Sequence, residues 1–304
     1  MPINPSPAVQ RAGQVLWYLA EHPSETHTVA QLSRILNIPR ATCDSILQAL
    51  TAQGFVSRRE REMGYELGAS CLALATAAQA ANTVLSVANQ QANQLARDLG
   101  ACVVVSTVIS GQARAVAVFD RAPSTMLRAR VGQAIPLAPP FGVVFVAWDA
   151  VASERWLQQG GARPDPTDAE RWQQSLQFAR RHGYSFSVYA PPASRQFEEV
   201  LEHLALTPDS EPDRRVRDEV IERLRHSEYL ATEVDRDAEV QVMQVSAPVF
   251  DANGAVTASI MVLGSLRPMR GQEVEVLAGR VVQAADRATT MARELRLGEP
   301  AAAI

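Results

Sequence analysis

The sequence predicts an α+β protein in two domains, and three observations carry that prediction. Residues 28–54, TVAQLSRILNIPRATCDSILQALTAQG, repeat their apolar positions at helical spacing on both sides of a turn marked by proline. Residues 69–99 contain neither proline nor glycine and are rich in Ala, Gln, Leu and Asn, so a nearly continuous helix follows. Beyond residue 100 the pattern changes to apolar, β-branched runs such as CVVVSTVI and VTASIMVL, separated by turn signals and by helical stretches. With 304 residues, 47% hydrophobic and 20% charged, the chain is long enough for two separate cores, and its net charge of −4 fits a soluble globular protein.

Taken in order, Pro7 suits the first turn of a helix whose buried side is marked by Val9, Ala12, Leu16 and Leu19, with Trp17 and Tyr18 as packing residues. Thr28 and Gln31 fit a capping box, so a second helix begins there and carries Val29, Leu32 and Leu36 on one side. Ile38-Pro39 ends it, because proline disfavours helical geometry in the residue before it. From Arg40 a third helix places Cys43, Ile46, Leu47 and Leu50 on one stripe and leaves Arg40, Thr42, Asp44, Ser45 and Gln48 on the open face. Gly54 supplies the left-handed cap. Phe55-Val56 and Tyr65-Glu66-Leu67 read as short strands around a loop with Arg58, Arg59 and Arg61, which makes the whole a winged helix-turn-helix. Those five open-face residues and three arginines are the candidate contacts to base edges and phosphates of double-stranded DNA. Two crossed helices are also a plain packing unit. Over residues 1–68 six arginines meet six acids, so the strongly basic face usual in DNA-binding domains is absent.

Residues 69–99 are expected to break near Asn82 and either to set the distance between two recognition helices in a dimer or to serve as a stiff spacer. Residues 102–109 and 114–119 read as a hairpin, and 126–131 as a third strand with Leu127, Ala129 and Val131 on its dry side. A short helix starts at about Phe141. Residues 168–182 repeat Ala169, Trp172, Leu176 and Ala179 at helical spacing, and 184–189 return to strand. Residues 190–239 are too long for an ordinary connection; Phe197, Val200, Leu201 and Leu204, then Val216, Val220, Ile221 and Leu224, suggest two helices, as surface or dimer decoration or as a lid. Residues 240–249 and 256–263 pair across Asn253-Gly254, and Val274, Leu277, Val281, Ala285, Ala288, Ala292 and Leu295 mark a last amphipathic helix before a tail at 297–304. This order suggests a sensor domain like the GAF and PAS folds.

Catalytic chemistry is not expected. Histidines 22, 27, 182, 203 and 226 lack metal spacing, Cys43, Cys71 and Cys102 lack paired spacing, and neither a phosphate loop nor a nucleophile elbow is present. No cofactor or metal is expected. Without a basic-then-apolar leader or a membrane-spanning apolar run, the expected location is the cytoplasm.

Residues 10–74 resemble the amino-terminal domain of the IclR family of bacterial transcriptional regulators, through the LNIPRAT turn, the GFV start of the wing and the closing GYELGASCLAL. RVGQAIPL near residue 130 and VSAPVFDANG near residue 250 extend the resemblance downstream. The resemblance implies a winged helix-turn-helix at 7–68 (its helix-turn-helix about 28–48), linker and dimerisation helices at 69–99, and a GAF-like mixed α/β effector-binding domain at 100–296 with the helical insertion at 190–239. It also implies a homodimer or homotetramer, an operator and a small-molecule effector. Two departures bear on specificity. Many family members carry arginine where this chain has Ser45 beside Asp44. Where the family's carboxylate-binding members have a small polar turn and serines, this chain has Pro139-Pro140-Phe141-Gly142, then Gln244, Met261 and Leu263. A buried carboxylate would lose hydrogen-bond partners there. The expected effector is therefore larger or more apolar than glyoxylate or pyruvate, bound by Phe141, Gly142, Val242, Gln244, Met261 and Leu263 with Asp235 or Gln244 as polar anchor. A ligand-binding or protein-interaction module that has lost sequence-specific DNA binding is the alternative, supported by the neutral amino-terminal charge.

Overall fold

The computed structural model describes residues 6–23, 25–59, 63–123, 129–160, 166–188, 230–233, 235–264 and 267–298. They fall into two compact units, one within Met1–Ala81 and one from Asn82 onward.

In the first unit α1 (Pro7–Glu21), α2 (Val29–Ile35) and α3 (Arg40–Ala52) are followed by the hairpin β1 (Val56–Arg59) and β2 (Gly64–Leu67), and by α4 (Ser70–Ala81). Val15, Leu19, Leu32, Cys43, Leu47 and Val56 close its core. The capping box at Thr28 is formed, with the Thr28 amide donating to Gln31 Oε1 at 2.8 Å and the Gln31 amide to Thr28 Oγ1 at 3.3 Å. Between α2 and α3 the chain turns through Asn37 at φ 51°, a left-handed geometry asparagine tolerates, and Ser33 Oγ donates to the Ile38 carbonyl at 2.7 Å. That bond and the buried Ile38 side chain fix the direction in which α3 leaves the turn. At its other end, Gly54 at φ 71° lets the backbone reverse, and the Gly68 amide donates to the Phe55 carbonyl at 2.7 Å. The first turn of α4 is thereby fastened to the end of α3, helped by Ser70 Oγ on the Gln53 carbonyl at 2.9 Å. Beyond that anchor α4 buries none of its residues.

The second unit is a six-stranded antiparallel sheet in the order β5 (Ala134–Pro136), β4 (Gln112–Asp120), β3 (Cys102–Ile109), β9 (Val256–Leu263), β8 (Val242–Phe250), β6 (Ser185–Val188). One face is covered by α5 (Thr83–Leu99) and α9 (Gly271–Gly298). Ala88, Ala92 and Ala96 on α5 and Ala278, Ala285, Ala288 and Ala292 on α9 are buried there, and such small side chains allow two helices to lie close together over Val103, Val245, Ile260 and their neighbours. The short α6 (Val143–Val146) packs against β8 and β9, α7 (Ala150–Gln158) packs against α6, and α8 (Pro166–His182) packs against α6, α7 and the edge strand β6, with its Phe178 joining the core under α5 and α9. A small pair, β7 (Glu239–Val240) with β10 (Met269–Arg270), precedes α9. Among the described residues no single helix is long and apolar enough to cross a membrane.

Asn82 interrupts the helical stretch as the pattern predicts, and its side chain accepts from the Leu85 amide at 3.0 Å. The third strand is displaced. Residues 129–131 belong to no strand, Val131 is exposed, and the edge strand is β5, whose Ile135 pairs with Ala113. The alternation at Leu127, Ala129 and Val131 misleads because Gly132 at φ 93° turns the chain before the segment that pairs. Strand residues 126–128 and both helices proposed for the insertion lie outside the described residues.

Candidate functional site

Helix α3 presents Arg40, Ser45 and Gln48 to solvent, with Thr42 and Asp44 half-buried at its flanks. Cys43, Ile46 and Leu47 hold the opposite side in the core. The helix starts at Pro39 with no side-chain cap, so its first amides remain free beside the Arg40 guanidinium, a combination suited to a phosphate. Two of the polar side chains are already committed to the helix itself. Gln48 Nε2 donates to Asp44 Oδ2 at 2.8 Å, and Ser45 Oγ donates to the Ala41 carbonyl at 3.0 Å.

In the wing, Arg58 is exposed with its guanidinium carbon 5.9 Å above the Tyr65 ring, a cation–π contact that orients it. Arg59 Nε meets Glu66 Oε2 at 2.8 Å, so Glu66 cancels part of the wing's positive charge. Arg61 lies outside the described residues.

Behind α2 lies a ring cluster that sequence spacing did not expose. Tyr18 stacks on His22 at 4.2 Å, His27 meets both edge-on at 4.9 and 5.5 Å, and His22 Nδ1 bonds the Tyr18 carbonyl at 2.7 Å. Glu21 on α1 is buried nearby, Glu25 reaches His27 Nε2 at 3.7 Å, and His27 pairs through its backbone with Tyr65 of the wing. His27 thus connects α1, the Thr28 cap of α2 and β2. Burial, reinforced by His22 and opposed by Glu25, pushes its imidazole below the ordinary value of 6.5. Burial also pushes the Tyr18 hydroxyl up to about 12. Since folding lowers the His27 pKa, the unfolded chain takes up the proton first. Stability is complete above the unfolded value and is lost as pH falls from there to the folded one. Calorimetry should show the transition of this unit moving to lower temperature as the pH falls through and below 6.5, the ordinary imidazole value, and His27→Gln should flatten that dependence. An equally steep dependence in the variant would assign it to other groups.

In the second unit the sheet brings some of the candidate effector residues together and separates others. Gln244 on β8 pairs with Leu263 on β9, and Ser246 pairs with Met261, so Gln244, Leu263 and Met261 share the face turned away from α5 and α9. Val242 packs instead in the core beneath those helices. Phe141 is buried and its carbonyl accepts from Trp156 Nε1 at 2.6 Å; Gly142 at φ 84° starts α6, and a Cβ there would lie 2.4 Å from Leu137 Cδ1. Asp235 is exposed before α9, with its carboxylate accepting from the Asp237 amide at 3.0 Å.

Missed by the sequence reading is a run of buried hydroxyls beside Gln244. Ser187 on β6 pairs directly with Gln244, Ser185 with Ser246, and Ser106 on β3 with Ser259 on β9, all buried. Ser246 Oγ donates to Gln244 Oε1, whereas the Ser187 hydroxyl is fully buried without a partner among the described residues. The signal was present as strict alternation, with serines at 185 and 187 around Phe186.

Residues 8–60 match the model of the IclR helix-turn-helix domain. This segment resembles an IclR helix-turn-helix. The whole chain carries the fold of solved IclR regulators. An IclR transcriptional regulator from Alicyclobacillus acidocaldarius is 21% identical with a TM-score of 0.68, covering 95% of this chain and 100% of its own. The Thermotoga maritima IclR is 13% identical with a TM-score of 0.56, covering 94% and 98%. An IclR homolog from Microbacterium hydrocarbonoxydans complexed with 4-hydroxybenzoate is 16% identical with a TM-score of 0.59, covering 94% and 99%. A comparison with curated proteins gives no significant match. Among the described residues no group of three or more His, Cys, Asp or Glu side chains is placed to hold a metal.

Proposed function

We propose that this chain is a cytoplasmic, homo-oligomeric IclR-type regulator whose operator affinity changes when a small molecule enters its second unit. The observation that carries the reading is α3: a polar, solvent-facing ridge with free amides and Arg40 at its start, inside a segment that matches an IclR helix-turn-helix. In this reading Arg40, Thr42, Asp44, Ser45 and Gln48 face the duplex, with Arg58, Arg59 and Arg61 reaching its backbone. The effector face combines Met261 and Leu263 with Gln244, Ser187 and Ser246, which supports an amphipathic ligand such as an aromatic acid over glyoxylate or pyruvate. The Microbacterium homolog, crystallised with 4-hydroxybenzoate, supports a ligand of that size. The linker at 69–99 carries the change by biasing two arrangements that bind ligand with different affinity.

A mobility shift on the DNA upstream of its own gene tests this. Arg40→Ala with Gln48→Ala should weaken binding by at least about tenfold and lower the salt slope by about one. Aromatic acids should release the DNA at lower concentration than pyruvate. Unchanged affinity and selectivity in the double variant would remove α3 as the reader, and tight saturable binding of glyoxylate or pyruvate would reject the apolar pocket. The neutral amino-terminal charge favours a second reading, a ligand or interaction module without sequence-specific DNA binding, and wild-type protein that fails to shift any duplex would establish it.

A further inference from the structure

Asp44 is the feature of α3 that a general affinity for DNA does not explain. It stands one helical turn from both Arg40 and Gln48, so the three form an i, i+4, i+8 ridge. A carboxylate beside phosphates costs affinity, and a unit whose formal charge is already zero has little basic surplus to offset that cost. The carboxylate does not neutralise the neighbouring arginine either: among the described residues Arg40 has no acidic partner. The Asp44 carboxylate accepts from Gln48 Nε2 at 2.8 Å.

That bond determines what the ridge offers. A carboxylate only accepts, so the Gln48 amide must turn its nitrogen toward Asp44, which orients the carboxamide. Asp44 Oδ1 and Gln48 Oε1 then remain as neighbouring acceptors on one side of the helix. In the major groove the groups that satisfy an acceptor are the exocyclic amines, cytosine N4 and adenine N6, whereas guanine O6 and N7 and thymine O4 would repel it. Cytosine suits the carboxylate better, because adenine sets the N7 acceptor beside its amine on the same base.

We infer that the Asp44–Gln48 pair is a base-reading unit which selects an amino-bearing base, cytosine before adenine, at one position of each half-site. The inference rests on the reading of α3 as the duplex-contacting helix. Gln48 positions the carboxylate and accepts from the adjacent base. Arg40 holds the backbone.

The test is selection from random duplexes with the full-length protein, its Asp44→Ala and Asp44→Asn variants, and a selected duplex in which the cytosine is replaced by 2-pyrimidinone, which lacks the N4 amine. Wild-type protein should show cytosine enriched about tenfold over guanine and thymine at one position of each half-site. Asp44→Ala should lose that preference while keeping the rest of the motif, and Asp44→Asn should shift it to adenine, whose N6 and N7 a carboxamide pairs with. The pyrimidinone duplex should bind wild type about tenfold more weakly and Asp44→Ala unchanged. If wild type selects a motif that both variants reproduce at every position, the base-reading unit is wrong and α3 still reads DNA. If wild type selects no motif, the DNA reading fails and this inference fails with it.

Discussion

Replacing Gly68 by alanine is expected to unfold the first unit, with a loss of more than about 3 kcal/mol. A Cβ at position 68 would lie 2.1 Å from the Gly54 carbonyl oxygen and 2.8 Å from its carbon. The obstacle is backbone on both sides, so no rotamer change relieves it. Moving the chains apart would break the Gly68 amide bond to the Phe55 carbonyl at 2.7 Å and the Ser70 amide bond to Gly54 at 3.1 Å, each worth about 1 kcal/mol. Those bonds fasten α4 to the end of α3, so operator binding should disappear together with the fold. Gly13 provides the contrast inside the same unit. It lies in α1 with nothing within 4 Å of an added Cβ, so Gly13→Ala should stabilise by about 0.5–1 kcal/mol. Calorimetry of the full chain reads both changes; a Gly68→Ala transition within about one degree of wild type would mean that the crossing has slack.

The contrast between these glycines also shows which parts of the fold local sequence encodes. Capping and helical stripes are local, so the Thr28 cap, the proline-marked turn, the Asn82 break and the Cys43–Ile46–Leu47 core stripe are legible in the residues themselves. The side of α1 that packs is less so. Val9 fits the apolar stripe yet is exposed, because the buried positions of α1 begin six residues later, at Val15, and continue at Tyr18 and Leu19. The Gly54–Gly68 crossing and the Tyr18–His22–His27 stack depend on segments meeting across a turn or a hairpin, which no periodicity reports. The same holds for the effector face. Gln244, Met261 and Leu263 share it because of strand register, and Val242 leaves it because the pairing of β6 and β8 shifts between Ser187 and Val188. An irregularity of that kind transfers a side chain to the other face of a sheet, and it is invisible until the partner strand is known.

Charged substitutions on α4 should have the largest effect on assembly. The helix, SCLALATAAQAA, carries no charged residue, and an uncharged apolar helix is suited to an interior rather than to water. Yet none of its residues is buried, and Leu72 and Leu74 are 74% and 58% exposed. Two positions apart on a helix, they point to nearly opposite sides, so each of two flanks of α4 carries an exposed leucine. A second copy of the chain is the cover we propose, because each buried leucine contributes about 1.5–3 kcal/mol and a twofold contact buries every position twice. Leu72→Glu and Leu74→Glu, made separately, distinguish the two flanks. On the flank that meets the partner copy, the variant should raise the dimer Kd by at least about 100-fold, since the glutamate loses two apolar contacts and places two like charges against each other. Operator affinity should fall with it, because a single recognition helix holds only one half-site. The circular dichroism spectrum should remain that of wild type, as both positions are exposed within the chain, which separates lost assembly from lost folding. Sedimentation and mobility shifts unchanged in both variants would leave α4 as a spacer and set the linkage between effector and operator elsewhere in the chain.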